Sequence, residues 1–247
     1  MGGLSLALSL FTVAPIRAIR FDRPTVRLAM LLAPLAGALL GLVLALLARL
    51  LVLLGASPFV GAAALVALSL VLTRGLHADG LADTADGLGS YAPAPRALEI
   101  MKKSDIGPFG VAAIASVLLL NAAAATTLLA APFVTSLASL TAAFAAGRLG
   151  ATVACRRGVP AARPEGMGVL VAGTVPLTLL GVVAVVVALA AGLVDVWRGP
   201  LAVVAAVAIS WGLTAHARRR LGGVTGDVIG AAVELSTAAA LVVLATA

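Results

Sequence analysis

The sequence predicts an all-α integral membrane protein, a polytopic bundle of about seven transmembrane helices, with six and eight as the neighbouring counts. Three observations predict it. Apolar residues fill 62% of the 247 positions and charged residues only 11%, against about 45–50% and about 25% in soluble domains; the mean hydropathy is +1.17. Apolar runs approaching the ~20 residues that cross ~30 Å of hydrocarbon recur seven times, at 28–54, 57–73, 108–131, 133–155, 169–194, 200–217 and 228–247. Third, the basic residues sort by loop. Arg17, Arg20, Arg23 and Arg27 precede the first run; Arg74, Arg96, Lys102 and Lys103 separate the second from the third. Arg156, Arg157 and Arg163 follow the fourth, and Arg218, Arg219 and Arg220 follow the sixth. With seven spans all of these share one side, leaving Arg198 and the flanking Arg49 opposite. Basic loops stay in the cytoplasm, so the N-terminus is expected there and the C-terminus outside.

The elements follow in order. Residues 1–26 read as a retained interfacial or re-entrant segment: no basic region precedes the first apolar stretch and no clean cleavage site follows Pro15. The second run is short and the sixth ends in His216. The whole of 1–247 reads as one membrane domain, because no stretch is long and polar enough for a soluble one. The net charge of +7 follows from orientation in the bilayer, with no nucleic acid implied. A lone Cys155 excludes an internal disulfide and a cysteine metal cluster.

Residues 74–107 read as a cytoplasmic catalytic loop between spans two and three. Five acids (Asp79, Asp83, Asp86, Glu99, Asp105) crowd into it out of ten in the chain, and no Lys or Arg occurs from 75 to 95. On a helix, Asp79, Asp83 and Asp86 fall at i, i+4 and i+7, one face. Carboxylates about 6 Å apart repel by roughly 3 kcal/mol at an effective dielectric of about 20. A divalent cation would neutralise them, and oxygen donors favour Mg²⁺, or Mn²⁺. Gly80, Gly87 and Gly89 leave room for a phosphate. His77 is open to three roles: metal ligand, base, or partner of a carbonyl. Lys102, Lys103, Ser104 and Gly107 at the start of span three form an expected anion site. Thr225, Gly226 and Asp227 precede span seven; Thr225 or Asp227 caps that helix, and Asp227 is expected to join the aspartates. Arg148 and Glu234 lie about 10–12 Å deep at 1.5 Å per residue, where a charge needs a partner. Spans four and seven are therefore expected to pack with Arg148 facing Glu234 or with both facing a polar cavity. Metal, carboxylates and phosphate contacts together suit phosphoryl transfer to an alcohol.

The chain resembles the cobalamin synthase family, the adenosylcobinamide-GDP ribazoletransferases, in GLHADGLADTADGLGS at 75–90, ALEIMKKSDIGPFG at 97–110 and GGVTGDVIGAAVEL at 222–235. Looser matches are LFTVAPI near the N-terminus and RRGVPAARPEGMG at 156–168, which carries Arg163. The resemblance implies attack of the 5′-hydroxyl of α-ribazole, or its phosphate, on adenosylcobinamide-GDP, with Mg²⁺ required, GMP released and adenosylcobalamin formed. It implies a bacterial cytoplasmic membrane protein with its site on the cytoplasmic side, and other nucleotide-loop assembly enzymes as candidate partners. It also implies Asp79, Asp83, Asp86, His77 and Asp227 as catalytic, with Gly80, Gly87, Lys102, Lys103, Ser104, Gly107, Thr225, Gly226, Arg148 and Arg163 at the substrate. Two other classes compete. A CDP-alcohol phosphotransferase shares Asp83-Thr84-Ala85-Asp86-Gly87 but needs Ala-Arg where Ser90 and Tyr91 stand. A transporter would show an inverted repeat, and none is seen.

Overall fold

A computed structural model describes residues 2–16 and 21–246; Arg17 and Arg20, counted above among the basic residues before the first run, lie outside them. Twelve helices are found among the described residues. They are α1 (Gly2–Phe11), α2 (Arg23–Leu31), α3 (Ala33–Leu53), α4 (Pro58–Leu72), α5 (Leu76–Gly89) and α6 (Ala94–Ile100), then α7 (Pro108–Ala130), α8 (Phe133–Ala154), α9 (Met167–Val171), α10 (Leu177–Gly192), α11 (Arg198–Leu221) and α12 (Gly226–Ala245). No strand occurs among the described residues, only the isolated bridges Arg156–Val175 and Ala161–Val224.

Each of the seven apolar runs forms a helix, but not each is a full crossing. Five helices, α3, α7, α8, α11 and α12, are long and apolar enough to cross a membrane; α4 and α5 together make a sixth if a bent pair counts as one span. α4 has 15 residues and α10 has 16, about 22 and 24 Å at 1.5 Å per residue, short of ~30 Å. The structure thus supports five or six crossings by length, where the sequence predicts about seven with six and eight also open. The difference arises because a window of apolar residues includes the turn residues at its ends. The α4–α5 bend is 88°, and its cause is local. Arg74 and Gly75 are consecutive left-handed residues at φ 57 and 64°, which ends α4 and starts α5 in a new direction.

α8 and α12 form the centre of the bundle. A Cβ on Gly150 would stand 2.6 Å from Ser236 Oγ and 2.8 Å from the Ala232 carbonyl, and Gly147 similarly abuts Thr237. Small residues let membrane helices close in where lipid gives no hydrophobic drive. Hydroxyls tie the layers: Ser210 Oγ donates to the Gly150 carbonyl at 2.7 Å, Ser236 Oγ to Ala206 at 2.9 Å and Thr152 Oγ1 to Met30 at 2.7 Å. α3 runs antiparallel along α8, with Gly37 beside Phe144 and Arg148 and with Arg49 donating to the Leu129 carbonyl at 2.6 Å. α1 is part of this packing: Leu6 and Ala7 are fully buried, and Gly3 sits against Leu28.

α8 and α12 pack together as the deep charges suggested. Among the described residues no ion pair within 4.0 Å joins Arg148 to Glu234. Instead Arg148 donates to Thr237 Oγ1 at 3.5 Å and lies over the Phe144 ring at 5.1 Å. The threonine one turn beyond Glu234 is the nearer group because Gly147 brings it against α8.

Candidate active site

α5 is seated between α12 and α7 at the end of the bundle that carries Arg163 and Arg220. Its three aspartates share a face, yet their surroundings are graded: Asp79 is exposed, Asp83 half-buried and Asp86 buried. Gly80 makes the seat. A Cβ there would stand 2.7 Å from the Asp227 carbonyl oxygen and 2.9 Å from its Cα, so α5 rests directly on the first turn of α12. Gly230, one turn further along, lies against the backbone of His77.

The Asp227 carboxylate has two partners, Thr225 and Arg163. Thr225 caps α12, its hydroxyl accepting from Val228 N at 3.2 Å and donating to Asp227 Oδ2 at 3.1 Å. Arg163 reaches the same oxygen at 3.4 Å while donating through its other nitrogen to the Leu98 carbonyl at 2.9 Å. Asp83 registers the crowding. Burial first, and then the charges of Asp79 and Asp227, push its carboxyl up to about 7 against the pull of Arg163. Asp79, Asp83, Asp227 and Arg163 therefore form one electrostatic unit drawn from α5, the 155–166 loop and α12.

Asp86 behaves differently from the expected ligand. Its Oδ2 accepts from Gly107 N at 2.7 Å and its Oδ1 from Gly110 N at 2.9 Å, so the carboxylate sits at the N-terminus of α7, where the helix dipole favours an anion. At the start of span three, where the sequence predicts an anion site for the substrate, the backbone amides of Gly107 and Gly110 hold the protein's own carboxylate. Gly107 and Gly110 are required because a Cβ on either would run into the Asp86 carboxylate. Lys102 pairs with Glu165 at 3.3 Å on the surface, while Lys103 and Ser104 are exposed in the connecting loop. Among the described residues, neither lysine forms an ion pair with Asp79, Asp83 or Asp86. Each charge-assisted bond is worth about 1.5–3 kcal/mol, so Asp86→Ala should lower thermal stability markedly. Asp86→Asn, which keeps one acceptor, should lose about half as much. Melting curves in detergent decide this, and equal stability of all three proteins would refute the clamp.

The glycines also correct the sequence reading. Gly80 faces Asp227, Gly87 faces Met101 with its Sδ at 2.8 Å from a built Cβ, and Gly89 faces Phe109. Their missing side chains make room for neighbouring helices and not for a phosphate, because α5 is packed on three sides. Gly226, by contrast, has only Met167 nearby, at 3.7 Å. His77 is buried and stacks on Phe11 at 5.6 Å, with Nδ1 unpartnered. Sequence reasoning missed Glu165, which neutralises Lys102, and the pair Tyr91–Arg220. The guanidinium of Arg220 stands 5.8 Å from the Tyr91 ring centroid and donates to Ala92 O at 3.4 Å. Tyr91, the only tyrosine in the chain, was the available signal.

Among the described residues no three carboxylate, imidazole or thiol groups converge tightly enough to hold a metal by themselves. That arrangement still fits Mg²⁺, which is commonly held through one or two carboxylates, several waters and substrate phosphates, not by an all-protein cage. The hard donors are Asp79, Asp83 and Asp227, whose mutual repulsion a cation would relieve.

A family model described as cobalamin-5-phosphate synthase matches residues 3–245. The chain is similar to an adenosylcobinamide-GDP ribazoletransferase of Frankia casuarinae, 41% identical over 97% of this chain and 92% of that protein. It is likewise similar to enzymes of that name from Corynebacterium efficiens, 39% identical over 99% and 91% of the two chains, and from a Nocardioides species, 42% identical over 95% and 94%. No solved structure matches the chain.

Proposed function

The chain belongs to the cobalamin-5-phosphate synthase family, and we propose that it transfers the adenosylcobinamide phosphoryl group from adenosylcobinamide-GDP to the 5′-hydroxyl of α-ribazole or its phosphate. The observation that carries this reading is the unit of Asp79, Asp83, Asp227 and Arg163, gathered from distant segments in a chain similar to these enzymes over nearly its whole length. In the proposed reaction the ribazole oxygen bonds to the cobinamide-side phosphorus, the diphosphate bridge to that phosphorus breaks, GMP leaves and the hydroxyl proton passes to a carboxylate of the unit. Asp79, Asp83 and Asp227 would hold Mg²⁺ or Mn²⁺, which when bound neutralises diphosphate charge. Arg163, held by Leu98 and Asp227, offers its guanidinium as a fixed cation beside the nucleotide phosphates. The membrane would be the bacterial cytoplasmic one, with this end of the bundle facing the cytoplasm as the basic loops require, and with other nucleotide-loop enzymes as neighbours.

The test is direct. Purified protein in liposomes, given adenosylcobinamide-GDP, α-ribazole and Mg²⁺, should release GMP and form adenosylcobalamin in equal amounts by chromatography. GMP release that ignores α-ribazole would make the protein a hydrolase and overturn the reading. Arg163→Gln should raise KM for adenosylcobinamide-GDP about tenfold, the scale of one charge-assisted contact, with kcat little changed. A fall in kcat of the same size with KM constant would place Arg163 on the transition state instead.

A further inference from the structure

α3 and α10 both lean on α8 and leave between them a groove of about 750 Å³. Leucine, valine and alanine line it, Leu35, Leu42, Leu137, Val182 and Val186 among them, and Thr141 is its only polar residue. It begins at Leu31 and Leu32, where α2 passes into α3, and reaches Val134 and Leu193 near the far ends of α8 and α10. In a membrane a dry, chain-wide groove must be filled by something apolar.

The chemistry at its mouth selects the occupant. α2 is two-faced: Val26, Ala29 and Met30 are buried, while Arg23 and Arg27 are exposed. Arg23, Arg27 and Leu31 fall at i, i+4 and i+8 and form one stripe along the helix. Its first residue, Arg23, lines a second cavity of about 530 Å³ together with Arg218, Pro160 and Val169; its last, Leu31, lines the apolar groove. Eight residues at 1.5 Å each put the two ends about 12 Å apart. The neighbouring acid, Asp22, is engaged as the cap of α2, accepting from Thr25 N at 2.8 Å. Exposed Met167, Val169 and Leu170 on α9 beside the basic cavity are apolar residues of the kind that sit at the bilayer interface. A ligand that matches the whole track is anionic at one end and a long hydrocarbon at the other. Arginines at a membrane surface favour anionic over zwitterionic headgroups.

We propose that α2 marks a site for one anionic phospholipid, its phosphate and headgroup held by Arg23, Arg27 and Arg218 and an acyl chain lying in the α3–α8–α10 groove. The protein is equilibrated in vesicles of equal phosphatidylglycerol and phosphatidylcholine, extracted in mild detergent, and its retained lipid identified by native mass spectrometry. Wild type should retain phosphatidylglycerol over phosphatidylcholine by about tenfold or more. The double variant Arg23→Ala/Arg218→Ala should bring the ratio near one. Ala138→Phe, which fills the groove without touching the arginines, should lower retention of both lipids while leaving GMP release intact, which also shows that the variant is folded. Equal retention in wild type, a preference that survives the arginine variant, or retention untouched by Ala138→Phe would each overturn the proposal. So would a dimer mass that Ala138→Phe abolishes while lipid retention stays constant, since the groove would then belong to a second copy.

Discussion

Asparagine in place of Asp83 is expected to reduce GMP release by about 10²–10³-fold, the scale on which single preorganised electrostatic contacts act, while the protein stays inserted and melts as high as wild type or higher. Asp83 is the aspartate on which the site converges. Asp79 and Asp227 both act on it, burial and their charges push its carboxyl up to about 7, and Arg163 pulls the other way. Removing its charge relieves repulsion in the resting protein and removes a donor from the working one, so stability and activity should move in opposite directions. A concerted loss of both would mean that Asp83 is a structural residue. A GMP release rate within about threefold of wild type, a loss of under about 0.7 kcal/mol, would remove it from the site altogether.

The second large effect is steric. Gly80→Ala puts a methyl group 2.7 Å from the Asp227 carbonyl oxygen and 2.9 Å from its Cα, and backbone atoms at a helix start cannot turn aside as a side chain would. α5 must then lift from α12, at a cost of about 1–3 kcal/mol for overpacking, and Asp79 and Asp83 move away from Asp227. Turnover is expected to fall to near background even though no charged group is altered. Gly212→Ala provides the control: nothing lies within 4 Å of its built Cβ, so the same substitution there should leave activity and melting temperature essentially unchanged. Similar behaviour of the two variants in a GMP-release assay and a melting curve would show that the α5–α12 contact does not organise the site.

These two residues mark how far the sequence could be read. The carboxylates Asp79 and Asp83 were legible as candidates because an acidic cluster free of lysine, in an otherwise apolar chain, is anomalous by composition alone, and Asp227 was legible from its place before span seven, on the same side of the membrane. Arg163 was legible only through the resemblance of its loop to a family. Asp86 was misread by the same rule that found Asp83: helical spacing places both on one face, but spacing does not say what faces them. Gly80, Gly87 and Gly89 were read as room for a ligand when they are room for Asp227, Met101 and Phe109. Lys102 drew attention as a cation near a helix start, and its partner Glu165 lies 63 residues away, where no local pattern could reveal it.

Hydropathy and the sorting of basic residues depend on each residue's transfer into lipid or water, a property it carries alone, so the sequence by itself determined the helical membrane class and the apolar runs that become its long helices. Which helices are long enough to cross, and where the chain turns, depended on backbone angles at Arg74 and Gly75 that no composition window registers. The division of labour among the aspartates depended on pairs. Asp86 finds the amides of Gly107 and Gly110, and Asp83 feels the charge of Asp227, about 140 residues away in the chain, because Gly80 lets two helices touch. Only the tertiary structure could decide those roles, because the free energy of a charge in a membrane protein is set by what packing brings within a few ångströms of it.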